Sequence, residues 1–340
     1  MEREYSNVYS LFPFGYNFQN MLNIHIIGGA QMAKYLLKRV FYMVITLFVI
    51  ISLTFFLMKL IPGTPFASAN KLQPEQLEIM KDKYGLDEPI VVQYAKYMGN
   101  VVQGDLGTSF QFNNVPVTEL LASRIGPSMT LGFQAMFFGS IIGIFLGVIG
   151  ALRQNTWVDY GSTFIAVLGK SIPNFVFAGL LQYYIGVKMG WLPVLFWKGW
   201  EYSIMPTIAL AMFPIAITAR FIRTEMIDVL GSDYITLAKA KGANYFEIAF
   251  KHGLRNALIP VVTVVGPLAV SMMTGSLVVE KIFAIPGIGD QFVKSIQVND
   301  YSVIMGTTVL FSVLFVVIIL VIDILYGVID PRIRLSGGKK

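Results

Sequence analysis

The sequence predicts an all-α fold, a polytopic membrane protein with about six transmembrane helices. Composition is the first ground. Of its 340 residues, 55% are hydrophobic and 14% charged, whereas an ordinary soluble domain carries roughly 25% charged residues. The second ground is the length of the apolar runs. A helix rising 1.5 Å per residue needs about 20 residues to cover roughly 30 Å of hydrocarbon. Runs at 40–61, 130–152, 160–189, 206–221, 258–279 and 305–328 are read as the spans. The third is the placement of cations. With the N-terminus inside, segments 32–39, 153–159, 220–256 and 330–340 hold 14 Lys and Arg in 63 residues, and the outside segments 62–127, 189–204 and 281–304 hold 8 in 106. The positive-inside bias then places both termini in the cytoplasm. The net charge of +6 is read in the same way, as membrane orientation and not as a nucleic-acid footprint.

Residues 1–31 mix aromatic, Asn and Gly residues, with neither a helical stripe nor the basic, apolar and small-residue plan of a signal peptide. Gly28 and Gly29, if encoded GGA-GGN, would place a ribosome-binding sequence about seven nucleotides before the Met32 codon, so 1–31 is expected to be an extension upstream of a natural start. The first transmembrane helix is expected within 32–61, announced by Lys34, Lys38 and Arg39. A large extracytoplasmic loop, 62–127, mixes Tyr84, Tyr94, Tyr97 and Phe110 with charges and suits either self-packing or an external partner. In the second span Gly139, Gly143 and Gly147 recur every four residues on one face, which lets another helix approach closely. The third run is broken by Ser171, Ile172 and Pro173, and reads as a kinked span or as two shorter elements. A core domain is expected over 128–335, with a cytoplasmic loop at 220–257 and a tail at 336–340.

Several chemistries are excluded. Cysteine is absent, which removes disulfides, thiolate metal sites and cysteine nucleophiles. The two histidines, His25 and His252, fall in unrelated segments, so an imidazole metal site is not expected. Gly169, Lys170 and Ser171 imitate the end of a phosphate-binding loop, but the glycine that motif needs five residues earlier is Phe164. This chain is therefore expected to bind no cofactor and to hydrolyse no ATP itself.

The stretch from Arg220 to Asn256 is long for a connector. Residues 233–241 read as a short helix, Gly242 as a break and 243–254 as a second helix. Phe246 and Phe250 stand four apart on one face of that second helix, with Glu247 and Lys251 as a charged pair on another. Ala238, Ala240, Ala249 and Gly253 leave room for a partner backbone. Such an aromatic knob either lies in the membrane interface or docks into a groove of another protein, and physics alone leaves both open.

The runs DYITLAKAKG at 233–242 and HGLRNALIP at 252–260 resemble the signature loop of binding-protein-dependent ABC importer permeases, specifically their peptide and nickel branch. The resemblance extends over YGLDEP at 84–89, Gln93 and Tyr94, GDLGTS at 104–109, EKIFAIPGIG at 280–289 and DPRIR at 330–334, and is strongest towards the B-type oligopeptide permeases. Two departures narrow the subfamily: Thr236, Leu237 and Ala238 replace the usual Glu-Ala-Ala, and His252, Gly253, Leu254 and Arg255 replace Ile-x-Leu-Pro. The resemblance implies a type I ABC importer permease fold in a bacterial cell membrane and oligopeptide import as the function, with dipeptide or nickel import as the alternative. It also implies a homologous second permease, two ATPase subunits that bind ATP and Mg, and an extracytoplasmic substrate-binding protein as partners. It assigns ATPase coupling to the loop, here Asp233, Thr236, Ala238, Lys241, Gly242, Phe246, Glu247, Phe250, His252 and Arg255.

The other polar residues are weighed singly. Asp323, near the cytoplasmic end of the last span, is read as a structural pairing near Asp330 and Arg332 and not as an ion-coupling group. Lys188 is expected to snorkel, and Lys170, Ser171 and Pro173 to border the translocation path. His252, between Lys251 and Arg255, reads as loop surface and not as a pH sensor. A secondary transporter or channel would want paired charges deep in the spans or inverted repeats, and a membrane-embedded enzyme would want matched carboxylates or a histidine pair. Neither pattern is present in the sequence.

Overall fold

The computed structural model describes residues 18–60, 85 and 87–329. In chain order the helices are α1 (Phe18–Leu60), α2 (Ile90–Val102), α3 (Val117–Leu152), α4 (Trp157–Ser171), α5 (Asn174–Leu181), α6 (Glu201–Leu230), α7 (Asp233–Ala240), α8 (Arg255–Met273), α9 (Leu277–Ile282), α10 (Ile288–Gln297) and α11 (Tyr301–Ile329). π-Helical stretches at Gln182–Lys188 and Glu247–Leu254 follow α5 and precede α8. Among the described residues the only β feature is an isolated bridge between Thr108 and Pro116.

Among the described residues, five helical segments are long and apolar enough to cross a bilayer: Leu37–Leu60, Val117–Leu152, Glu201–Leu230, Thr263–Ile282 and Tyr301–Ile324. The bent pair Trp157–Ser171 and Asn174–Lys188 makes a sixth if it crosses as one, and its two arms turn by 102°. The third run is therefore two elements. Ile172 is extended at φ −87°, ψ 120° and caps α4, and Pro173 cannot donate a backbone hydrogen bond and disfavours helix at the residue before it.

Helix extents differ from the apolar runs where polar residues continue a helix past the hydrocarbon. α1 begins at Phe18, well before the expected span and inside the segment where no helical stripe was read. Once a long helix is nucleated, each added residue gains a hydrogen bond. α3 starts at Val117 and passes through Pro127, and α6 runs to Leu230, so the loop after the fourth span opens with more than two helical turns. The fifth run is split at Gly275, whose φ of +99° lies where side chains other than glycine are strained.

The core is the parallel packing of α3 on α6. A Cβ on Gly139 would stand 2.8 Å from Pro214 Cβ, one on Gly143 2.6 Å from Thr218 Cβ, and one on Gly147 2.7 Å from Ile222 Cβ. Each four-residue step along α3 meets a four-residue step along α6, so the glycine stripe is a packing seam. Leu131, Ala135, Ala209, Leu210 and Ile215 are buried in the same cluster. Outward sides are apolar instead of polar: Phe41, Val44, Phe137, Phe145 and Phe164 are exposed, a surface suited to lipid chains and not to water.

α1 lies at the periphery and is tied in at two levels. Arg39 Nη2 donates to Asp323 Oδ1 of α11 at 2.8 Å, so the partner of Asp323 among the described residues is on α1; Asp330 and Arg332 lie outside them. Near the other end, the Ser52 and Tyr94 hydroxyls are 2.6 Å apart. Tyr97 stacks on Phe55 with ring centroids 5.4 Å apart, and burial pushes its phenol up to about 12. Of the expected outer loop, only residues 85 and 87 onward are described. There Asp300 Oδ2 accepts from Ser109 Oγ at 2.5 Å and Asp300 Oδ1 accepts from the Phe110 and Val303 amides, which pins the outer segment to the start of α11.

Candidate functional site

Leaving α6 at Leu230, the chain turns into α7, α8 follows after a glycine break and a π-helical stretch, and the whole detour stands at the end of the bundle where α3 stops and α4 starts. α7 opens with Ser232 extended at its N-cap and Asp233 in its first turn, a charge favoured by the helix dipole. Ile235 is fully buried, and α7 packs on the π-helical stretch that follows it. Gly242 then takes φ +85°. Nothing stands within 4 Å of a Cβ built there, so the left-handed backbone, and not space, requires glycine.

The next turn is closed by a reciprocal cap. Asn244 Oδ1 accepts the Glu247 amide at 2.9 Å, and Glu247 Oε2 accepts the Asn244 amide at 3.1 Å. This is the capping-box arrangement, with two otherwise orphaned donors satisfied at once. It corrects the expected Glu247–Lys251 pairing: the Glu247 carboxylate faces backward to the cap. The helix expected over 243–254 is π-helical from Glu247. Ala249 is fully buried, and a Cβ on Gly253 would stand 3.0 Å from Met226 Cε of α6, so these two small residues face the bundle, whereas Ala240 is exposed and Ala238 borders open space. Asn256 Nδ2 donates to the His252 carbonyl at 2.8 Å and to Tyr234 Oη at 3.3 Å, latching α7 to the π-helical stretch.

Every loop residue expected from the sequence falls in this one unit. Ala238, Lys241, Gly242, Glu247 and His252 border an open groove of about 410 Å³ between α7 and the π-helical stretch. Phe246 and Phe250, 71% and 54% exposed, stand outside the groove, with Phe246 edge-on to Tyr245 at 5.9 Å between centroids. Asp233, Thr236 and Arg255 are exposed nearby without lining it. Two bulky aromatics are thus left in the open on a capped element. Lys170, Ser171 and Pro173 are not part of it. They are exposed at the α4–α5 bend, at the opposite end of α4 from the loop. Sequence reasoning missed Tyr234, Asn244 and Asn256. Asn244 was detectable, since Asn-x-x-Glu before an apolar run is a capping signature.

Up to six candidate crossings with apolar outer faces, and an exposed loop at one end of the bundle, define a multi-pass membrane protein. Residues 139–335 match the family described as "Binding-protein-dependent transport system inner membrane component", and residues 32–130 match its N-terminal companion, "Binding-prot-dependent transport system membrane comp, N-term". The chain belongs to this family. It is 48% identical over 304 residues to the dipeptide transport system permease protein DppB of Lactococcus lactis subsp. cremoris, covering 89% of this chain and 100% of that protein. With the oligopeptide transport system permease protein OppB of Haemophilus influenzae it shares 40% over 305 residues, again 89% and 100% of the two chains. A chain from inward-facing structures of the MetNI methionine ABC transporter superposes with a TM-score of 0.52 at 18% identity, over 62% of this chain and 96% of that one. At that identity the likeness shows the fold, and the fold is that of type I ABC importer permeases.

Proposed function

We propose that this chain is one of two permease subunits of an ATP-driven peptide importer in a bacterial cell membrane. A substrate-binding protein delivers peptide to the outer face, a homologous permease completes the path, and two ATPase subunits hold ATP and Mg. The carrying observation is the unit from Asp233 to Leu254: capped, with Ile235 and Ala249 buried, and presenting Phe246 and Phe250. Closure of the ATPases pulls on this unit, and because it is rigid the pull reaches α6 and α8 directly, driving alternation between outward and inward openings. This reading puts the loop, and with it both termini, in the cytoplasm, as the cation bias supports.

Lys170, Ser171 and Pro173 border the translocation path in this reading. An exposed ammonium at a bend between apolar helices is costly against lipid, so its favoured neighbour is water in the path. The dipeptide and oligopeptide relatives share one chemistry, the peptide backbone. Proteoliposomes carrying the whole complex decide between them: ATP-dependent uptake of a labelled pentapeptide supports oligopeptide import, and uptake confined to dipeptides assigns the shorter cargo. Absence of co-purifying ATPase subunits and ATP-independent uptake would move a secondary transporter ahead.

A further inference from the structure

The helix that leads into the docking loop is joined to its neighbour by a bidentate ion pair. Arg223 of α6 donates from Nε to Asp159 Oδ1 at 2.5 Å and from Nη2 to Oδ2 at 2.7 Å. Asp159 sits in the first turn of α4 with its side chain 2% exposed, and Oδ2 also accepts the Asn155 amide at 2.9 Å. Such a fork fixes orientation as well as distance, and removing one partner of a buried pair leaves the other charge uncompensated. Gly150 of α3 makes room for it: a Cβ there would stand 3.3 Å from Asp159 Oδ1 and 3.5 Å from Arg223 Cδ. Near the other end of α4, a Cβ on Gly169 would stand 2.6 Å from the Met212 carbonyl oxygen of α6. α4 is thus clamped to α6 at both ends, and the break at Ile172 and Pro173 follows at once. Past the break α5 packs on the first half of α6, with Ala178 buried beside Met205 and Ala209, and Gln182 Nε2 donates to the Val194 and Ile282 carbonyls at 3.1 and 3.0 Å.

We propose that Arg223 and Asp159 are positioning residues of the transport cycle: they make α4 follow the loop-proximal half of α6 when the docking loop moves, and the bend at 172–173 absorbs the difference between this unit and the α5–α9 end, which packs on the first half of α6. The proposal rests on the ATPase-docking reading of the loop. A purely structural ion pair would stabilise the bundle without setting how much transport each ATP yields.

The chain has no cysteine, so label pairs can be introduced against a clean background in the complete complex. Spin labels at Trp157 and Asp228 should keep one interspin distance between nucleotide-free and nucleotide-trapped states, while labels at Val167 and Tyr183 should shift by several ångströms. A Trp157–Asp228 shift as large as that across the bend would overturn the proposal. In a second arm, the apolar pair Asp159→Leu with Arg223→Met should lower peptide imported per ATP hydrolysed by about tenfold, and the reversed pair Asp159→Arg with Arg223→Asp should restore at least half of it. Wild-type import per ATP in the apolar pair overturns the proposal and leaves the importer reading standing. Failure of the unmodified complex to import peptide with ATP sinks the importer reading instead. If the apolar pair does not assemble, the label distances decide alone.

Discussion

Ser128 Oγ lies 2.6 Å from Glu280 Oε1, joining α3 to α9 across 152 residues of sequence, and the same hydroxyl accepts the Ile288 amide at 2.9 Å. Glu280 Oε2 accepts the Asp290 amide at 3.1 Å. The carboxylate is 1% exposed, and a Cβ on Gly287 or Gly289 would fall 2.3 or 2.9 Å from its Oε2, so only glycines can surround it so closely. The EKIFAIPGIG run is therefore a buried acceptor with the turn wrapped around it. Glu280→Ala leaves the buried Ser128 hydroxyl and the Asp290 amide without acceptors and opens a cavity, and should cost about 2–5 kcal/mol, against about 1–3 for Ser128→Ala. Thermal unfolding of the detergent-solubilised complex checks the order, and an equal shift for both would contradict it.

The α3–α6 seam predicts opposite outcomes for two glycines. Gly143→Val forces branched carbons into the space occupied by Thr218 and the Ile215 carbonyl and should cost about 1–3 kcal/mol or more. Gly161→Ala, with open space around its Cβ, should be neutral to slightly stabilising. Unfolding midpoints of the two variants measure this directly.

Asn244→Ala removes the reciprocal cap with Glu247 and should cost about 1 kcal/mol locally. Because the cap lies on the outlying loop, amide exchange should accelerate over residues 245–249 while the global unfolding temperature moves little. Unchanged exchange there would mean that the cap does not hold the turn.

Arg39 and Asp323 tie α1 to α11. Arg39→Met leaves a mostly buried carboxylate short of a charged donor and should cost about 1.5–3 kcal/mol, and adding Asp323→Leu should recover most of the loss. A double variant no better than the single one would show that the pair does not carry the α1 contact.

Much of this molecule is legible in its sequence because hydrocarbon imposes length and composition on every crossing helix. The six runs, the glycine seam at Gly139, Gly143 and Gly147, and the break at Pro173 all follow from local rules. What was not legible is long-range or conditional. Nothing near Asp159 announces Arg223, 64 residues on, or that Arg39 reaches Asp323. Helix α6 overran its apolar run because Arg223, Glu225 and Asp228 end the hydrocarbon without ending the helix. At the loop, Glu247 had two reasonable partners, Asn244 and Lys251, and the orphaned amides at a helix start outcompeted an exposed ion pair worth only a few tenths of a kcal/mol.

The most direct test of the central claim is ATPase activity of the reconstituted complex with peptide-loaded binding protein, comparing the intact chain with the Phe246→Ala, Phe250→Ala double variant. Both rings are exposed, so their removal should leave folding and membrane insertion intact while stimulation falls by about tenfold or more, as expected when two central anchors worth over 1 kcal/mol each leave an interface. Stimulation equal to that of the intact complex would contradict the account and remove the loop from the path between ATP and transport.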